Sequence, residues 1–507
     1  MRSLDLAIIA VFLVGMPLLG IWIGGRQKSA NDYFVGEGKI SWWVVCLSVV
    51  SAETSTLTVL SVPTVAYLAT PGAGGMTFLS LAIGYLLGRI VVSFVLLPKY
   101  VAGDLVTAYA FLGKRFGDGL RTTASVTFLF TRLLADGLRL FATAIPVKVV
   151  LGAYGVQASY WTIVFVLGIA MVVYSFFGGV RAVVWVDAIQ MLWYLLGAAV
   201  VIWALADRLP GDWLGKAFDA NKFQVFDLAS DPLYSPYALI TAVIGGAVLS
   251  MASHGADQLI VQRLMATRDV RASQKALIAS GVVVFVQFAL FLFIGVMLWA
   301  FYNAAKPVQD LGLNNNDELF ATFIVTELPS GLSGFVIAGI LAAALSSSLG
   351  ALASSTVTDI YARVVKRKLS DADLLRQGKL WTVVWAGLLI VFAGLFAQFT
   401  KRGDPIVEQG LSITGYTYGA LLGAFLLGLI VKRARQADAI IAFLVTVLTM
   451  VAIILPPVLS GTKGLAYPWY PPMGVAITLI VGGLLSLRHP RTPAPVDEEP
   501  ADAAKAA

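Results

Sequence analysis

The chain is built from apolar stretches that recur at nearly constant length. They fall near residues 4–25, 41–70, 75–98, 122–152, 158–178, 183–206, 236–264, 275–303, 328–359, 379–400, 408–431, 437–459 and 471–487. A helix needs about 20 apolar residues to cross the hydrocarbon layer, and lipid leaves every backbone polar group to be satisfied within the protein. The expected fold is therefore an all-α polytopic membrane protein with about thirteen transmembrane helices. Charged residues make up 13% of the chain, against about 25% in soluble domains. The first stretch is long enough to span, and no small-residue cleavage site follows it, so it is expected to stay as an anchor.

Lys and Arg assign the sides. Alternate loops are rich in them: Arg26, Lys28 and Lys39; Lys99, Lys114, Arg115 and Arg121; Arg263, Arg268 and Arg271; Arg363, Lys366 and Arg367; Lys432 and Arg433. The intervening loops hold few. The positive-inside rule then predicts a plasma or inner-membrane protein with the N-terminus outside and the C-terminus in the cytoplasm. It also accounts for the net charge of +7 without nucleic acid. Residues 1–487 read as one transmembrane domain, and 488–507, rich in Pro, Ala and acids, as a disordered cytoplasmic tail. The external loops around 207–235 and 304–327 are expected to form short surface helices or lids.

Several places inside the apolar segments are too polar for passive packing. Ser51 to Pro63 gathers Ser51, Glu53, Thr54, Ser55, Thr56 and Thr58 just before a proline, which removes a helical hydrogen bond. An intramembrane carboxylate such as Glu53 is a functional candidate by default; its bland reading is a packing ion pair with a membrane Arg. The stretch Ile244–Gln258 carries two glycines, His254, Asp257 and Gln258, and reads as a second interrupted helix. The two breaks lie five segments apart, an odd offset, so they run in opposite directions, as in inverted-repeat transporters. His254 alone reads as a packed neutral histidine. Arg132, Asp136 and Arg139 lie on one helix face, where Asp136 can pair with either Arg. One positive charge is left for Glu53 or for an anionic solute. Asp187 is either interfacial or a carboxylate on a cation's inner path. The run Gly339–Tyr361 packs serines into an apolar helix, as interhelical glue or as oxygen ligands for a cation.

Together these motifs resemble the sodium/solute symporter family, which includes the sodium–glucose, sodium–proline and sialic acid symporters. The resemblance rests on Ala52-Glu-Thr-Ser-Thr-Leu-Thr with Val62-Pro63, and on Gly178-Gly-Val-Arg-Ala-Val-Val-Trp-Val-Asp-Ala-Ile-Gln190. It rests also on Gly255-Ala-Asp-Gln-Leu-Ile-Val-Gln-Arg263, on the serine helix ending Thr358-Asp-Ile-Tyr361, and on Gly415-Tyr-Thr-Tyr-Gly.

The resemblance implies an inverted five-plus-five repeat of the leucine-transporter type, with core repeats at about 41–206 and 236–431. One extra helix precedes the core and two follow it. It implies a sodium site using backbone carbonyls of Ser51, Thr54 and Ala343 and the hydroxyls of Ser346 and Ser347. Asp187 falls on the family's ion-release aspartate. The spacing from the hydroxyl pair to Asp359 is about three residues shorter than in many relatives. Anchoring on Asp359 would put Ala343 and Ala344 at the hydroxyl positions; the serines, which carry oxygen, are the chosen anchor. Leu349 and Gly350 then stand where members with a second sodium carry serines, so one Na⁺ per solute is expected.

The expected function is sodium-coupled import of a small polar solute by alternating access. Na⁺ would be the coupling ion, with no cofactor and with a monomer as the working unit. Glu53, Ser55, Asp136, Arg139, Asp257 and Gln258 are the candidate solute ligands, and a carboxylate-bearing or sugar-like solute is favoured. Proton coupling through Glu53 or Asp187 is the rival within transport. A membrane enzyme or a transporter-like sensor is the rival outside it. No metal-ligand histidine pattern or phosphate loop supports an enzyme, and the short tail argues against a sensor.

Overall fold

The computed structural model describes residues 3–490 apart from 26, 28, 37–39, 55, 69–73, 102–104, 154, 303–312, 314–315, 346–347, 366–368 and 400–405. Ser55, Ser346 and Ser347 therefore lie outside the described residues, as does all but the start of the expected disordered tail. Among the described residues the protein is an all-helical bundle. Eight helices are long and apolar enough to cross a membrane, and two further bent pairs would bring the number to ten. Outer helices turn large apolar side chains outward, with Trp22 79% and Leu448 69% exposed. That is the surface lipid requires and water penalises.

Each of the thirteen apolar stretches carries helix, but some are too charged or too interrupted to stand as one uniform apolar span. The helix Asp118–Ala153 holds Arg121, Arg132, Asp136, Arg139 and Lys148. The described helices Leu332–Leu345 and Leu349–Ser355 lie either side of Ser346 and Ser347, and the second runs into a π-helical turn over Thr356–Tyr361. The long helix Tyr160–Ala206 breaks at Gly179, whose φ of 60° is a left-handed conformation suited to glycine.

Three breaks shape the middle of the bundle. The second apolar stretch bends by 60° between Trp42–Glu53 and Thr58–Leu68. Its break lies at Thr54, whose N–H closes the first half by donating to Val50 O at 2.7 Å. The expectation of a break at Pro63 is thus corrected. Pro63 sits inside Thr56–Leu68, where its carbonyl faces Gly295 so closely that a Cβ there would meet it at 2.1 Å. The second break separates Gly246–Gly255 from Gln258–Met265 at Ala256 and Asp257, as the sequence pattern predicts. The third bends Val407–Gly415 against Tyr418–Ile430 by 44° and has no proline to announce it.

Close packing holds these pieces in place. Phe78–Val95 lies against Gly246–Gly255 with glycine at the contact: a Cβ on Gly88 would meet Ala247 O at 2.2 Å. Small residues at such crossings let backbones approach. At the far end of Thr56–Leu68, Lys222 from the 207–235 loop donates to the carbonyls of Ala66 and Tyr67, both at 3.2 Å. A cation at a helix C-terminus is favourable, although burial pushes this ammonium down to about 8.

Candidate functional site: a charged cavity at the helix breaks

The breaks converge on a cavity of about 830 Å³ of empty space, part of it open to solvent. Its walls include Glu53, Thr58, Arg132, Arg139, His254 and Tyr418. A helix end leaves several carbonyls or N–H groups without helical partners, so a joint of half-helices inside a membrane supplies polar groups where lipid could not.

Glu53 stands at the last turn of Trp42–Glu53 and forms an ion pair with Arg89 from Phe78–Val95. Arg89 is fully buried and also donates to Ser280 Oγ at 2.8 Å. Sequence reasoning offered Glu53 to the Arg132–Arg139 ladder; the structure gives it Arg89 instead. A lone Arg in the apolar segment 75–98 was the available signal. Arg132 is paired with Asp257, its Nη2 donating to Oδ2 at 2.6 Å and its Nε at 3.0 Å. Tyr418 O–H donates to the same oxygen at 2.6 Å. The other oxygen of Asp257 accepts from Leu259 N–H at 2.9 Å and so caps Gln258–Met265. One carboxylate thus ties three broken or charged helices together.

That tie has a measurable weight. A hydrogen bond to a charged group contributes about 1.5–3 kcal/mol. Tyr418→Phe is expected to lower stability by about that much, seen as a lower melting temperature in detergent, with the helical content unchanged.

Asp136 sits between the two arginines, its Oδ1 at 3.4 Å from Arg132 Nη1 and 3.8 Å from Arg139 Nη1. Arg139 donates to Ala52 O at 3.0 Å, on the residue before Glu53. Its side chain is 30% exposed, against 5% for Arg132. Gln258 does not line the cavity: its Oε1 accepts from Ala108 N–H at 2.8 Å and its Nε2 donates to Val106 O at 3.2 Å. Asp257 reaches the cavity only through Arg132 and Tyr418.

Asp187 lies elsewhere, fully buried among Ser48 and Arg263. Arg263 donates to Asp187 Oδ2 from Nε at 3.1 Å and Nη2 at 2.9 Å, and Ser48 Oγ donates at 3.0 Å. In the sequence Arg263 falls among the loop cations and ends the Gly255–Arg263 motif. It is 2% exposed and bound inside the fold.

Of the proposed sodium ligands, Ser51 and Thr54 flank the first break. Ser51 is buried and its Oγ has no hydrogen-bond partner. Thr54 Oγ1 donates to Gln287 Oε1 at 2.8 Å. Thr56 Oγ1 donates to Ile340 O at 3.2 Å, which seats the break against Leu332–Leu345, the helix of Ala343. No group of three or more His, Cys, Asp or Glu suited to a transition metal occurs among the described residues.

Charged walls at the joint of broken spans, inside an all-helical membrane bundle, define a secondary carrier for a polar solute. The sodium:solute symporter family model matches residues 33–446. The chain belongs to that family and is a Na⁺-coupled solute symporter. The sodium/sialic acid symporter SiaT of Proteus mirabilis is 27% identical over 460 residues, covering 89% of each chain. The sodium/sialic acid symporter NanT of Aliivibrio fischeri is 26% identical over 490 residues, covering 95% of this chain and 92% of the other. Among solved structures, the substrate-bound outward-open state of a Na⁺-coupled sialic acid symporter superposes with a TM-score of 0.83. It has 24% identity and covers 96% of this chain and 98% of that one, a likeness of fold.

Proposed function

We propose that this symporter imports a carboxylate-bearing solute with one Na⁺, and that Arg139 is the anchor for the carboxylate. The observation that carries this is the Arg139 guanidinium, which is part of the cavity wall and 30% exposed. Arg–carboxylate contacts are charge-assisted and often bidentate. The sialic acids named for the relatives are carboxylate sugars and belong to the same chemical class.

Na⁺ would sit between the first break and the serine helix, held by carbonyls of Ser51, Thr54 and Ala343 and hydroxyls of Ser346 and Ser347. The unpartnered Ser51 Oγ and the Thr56–Ile340 contact support this placement. Binding there braces the two helices and favours the solute-competent state; solute must in turn favour Na⁺, because coupling is reciprocal. Asp187 would assist release toward the cytoplasm. Its pairing with Arg263 supports a single coupling ion, since a resident guanidinium already neutralises the carboxylate a second Na⁺ would need. The finer architecture belongs to the same proposal: thirteen spans, a five-plus-five inverted repeat, N-terminus outside and C-terminus in the cytoplasm.

The test is Na⁺-driven uptake of a panel of organic, amino and sugar acids by proteoliposomes. Arg139→Gln is expected to raise the KM of each transported acid at least about tenfold, equivalent to about 1.4 kcal/mol. If no acid is taken up, or the variant keeps the wild-type KM, the carboxylate reading is wrong.

A further inference from the structure

The break at Ala256 and Asp257 strands carbonyls that a continuous helix would satisfy. Leu259 N–H, which would serve Gly255 O, goes to Asp257 Oδ1 instead. The connector between Phe78–Val95 and Asp118–Ala153 takes up the stranded groups. Tyr100 O–H donates to Gly255 O, and Tyr109 O–H donates to Ala256 O at 3.1 Å. Between these tyrosines the 105–108 turn meets Gln258, whose Oε1 accepts from Ala108 N–H at 2.8 Å and whose Nε2 donates to Val106 O at 3.2 Å. Thr107 stands between those two contacts, and its Oγ1 donates to Asp359 Oδ1 at 2.7 Å. Asp359 belongs to the π-helical turn Thr356–Tyr361 at the end of the serine helix. Thr107, Ala108, Tyr109, Gln258 and Asp359 are all fully buried. A buried polar group that loses its partner is costly, so neither end of this connection lets go freely.

We propose that the 105–108 turn is the link through which sodium at the serine helix acts on the break at Ala256 and Asp257, with Thr107 as its positioning residue. Asp257, beside the gripped carbonyls, holds Arg132 and Tyr418 of the cavity wall. A shift of the serine helix passed through Thr107 therefore reaches the cavity as a shift of that carboxylate. Two sites that bias one shared element exchange a coupling free energy. This deepens the proposed function and rests on its placement of sodium. Asp359 has other donors: Arg121 Nε at 2.7 Å on the same oxygen, and Ser125 and Ser355 Oγ at 3.0 Å on the other. Those come from Asp118–Ala153 and from the serine helix itself. Among the described donors, Thr107 alone joins Asp359 to the connector, so the link can be cut without stranding the carboxylate.

The test is amide hydrogen exchange on the purified full-length protein, with Na⁺ as the probe and K⁺ as the reference cation. In wild type, Na⁺ is expected to slow exchange in Leu332–Leu345 and also across the second break, from Gly246 to Met265, there by at least about fivefold. Thr107→Val keeps the shape and removes the hydroxyl. It should retain the slowing in Leu332–Leu345 and lose it at the break. Thr107→Ala should do the same, and Thr107→Ser should restore the response. Ser125→Ala removes a donor from the same carboxylate without touching the turn, and should leave the response of the break unchanged. A merely structural role for the Asp359 cluster would make it behave like Thr107→Val. The link is refuted if Na⁺ slows Leu332–Leu345 but not the break in wild type, if the Thr107 variants keep the wild-type response at the break, or if Ser125→Ala matches Thr107→Val. If Na⁺ slows neither region in wild type, the sodium placement itself fails and the link falls with it.

Discussion

Arg263→Met is expected to cost about 3–5 kcal/mol of stability. Arg263 and Asp187 are both buried, and the guanidinium gives two hydrogen bonds to one carboxylate oxygen. It also donates to Leu259 O at 2.8 Å from within its own helix. Removing the cation leaves a carboxylate in a low-dielectric interior without its guanidinium, with Ser48 Oγ still donating to it. The cost comes from that stranded charge more than from the worth of the pair. Asp187→Asn in the same chain should therefore recover most of it. A double-mutant cycle read by thermal melting checks this; if the double variant is no more stable than Arg263→Met, the buried pair is not the cause.

Ser346→Ala and Ser347→Ala should each raise the Na⁺ concentration for half-maximal uptake about tenfold or more, with the fold intact. Each hydroxyl would be one of about five oxygen ligands replacing the water that Na⁺ gives up. A serine that merely packs two helices contributes only about 0.6–2 kcal/mol, and its loss would appear as melting temperature rather than as sodium dependence. If both variants keep the wild-type sodium requirement, the alignment anchored on Asp359 becomes the better one. Asp359 has a different setting: it accepts from Arg121 Nε and Thr107 Oγ1, each at 2.7 Å. Its bonds lock the π-helical turn to the helix Asp118–Ala153.

The membrane class and the second break could be read from local sequence, because length, hydropathy and glycine placement act within one segment. Asp257 announced its break by being a charged N-cap inside an apolar stretch. The bend before Tyr418 has no proline or charge and escaped notice. The ion-pair partners were the other gap. Glu53 with Arg89, and Arg132 with Asp257, join helices that are distant in the chain, and pairing across a bundle depends on crossings that periodicity does not encode. The glycines of Phe78–Val95 show this well. They set the close approach to Gly246–Gly255 that brings His254 to Glu53, yet in sequence they are two small residues among many. Gln258 failed for the opposite reason: its amide looked available, but the backbone of the 105–108 turn claims both ends.

In the proposed mechanism a single sodium, bound between the first helix break and the serine helix, carries one acid through the cavity. Dual-label flux tests it most directly, with radiolabelled sodium and a transported acid counted together in proteoliposomes under a sodium gradient. One Na⁺ is expected to enter per solute, with no uptake when a pH gradient replaces the sodium gradient. A ratio of two sodium ions per solute, or uptake driven by protons alone, would contradict it.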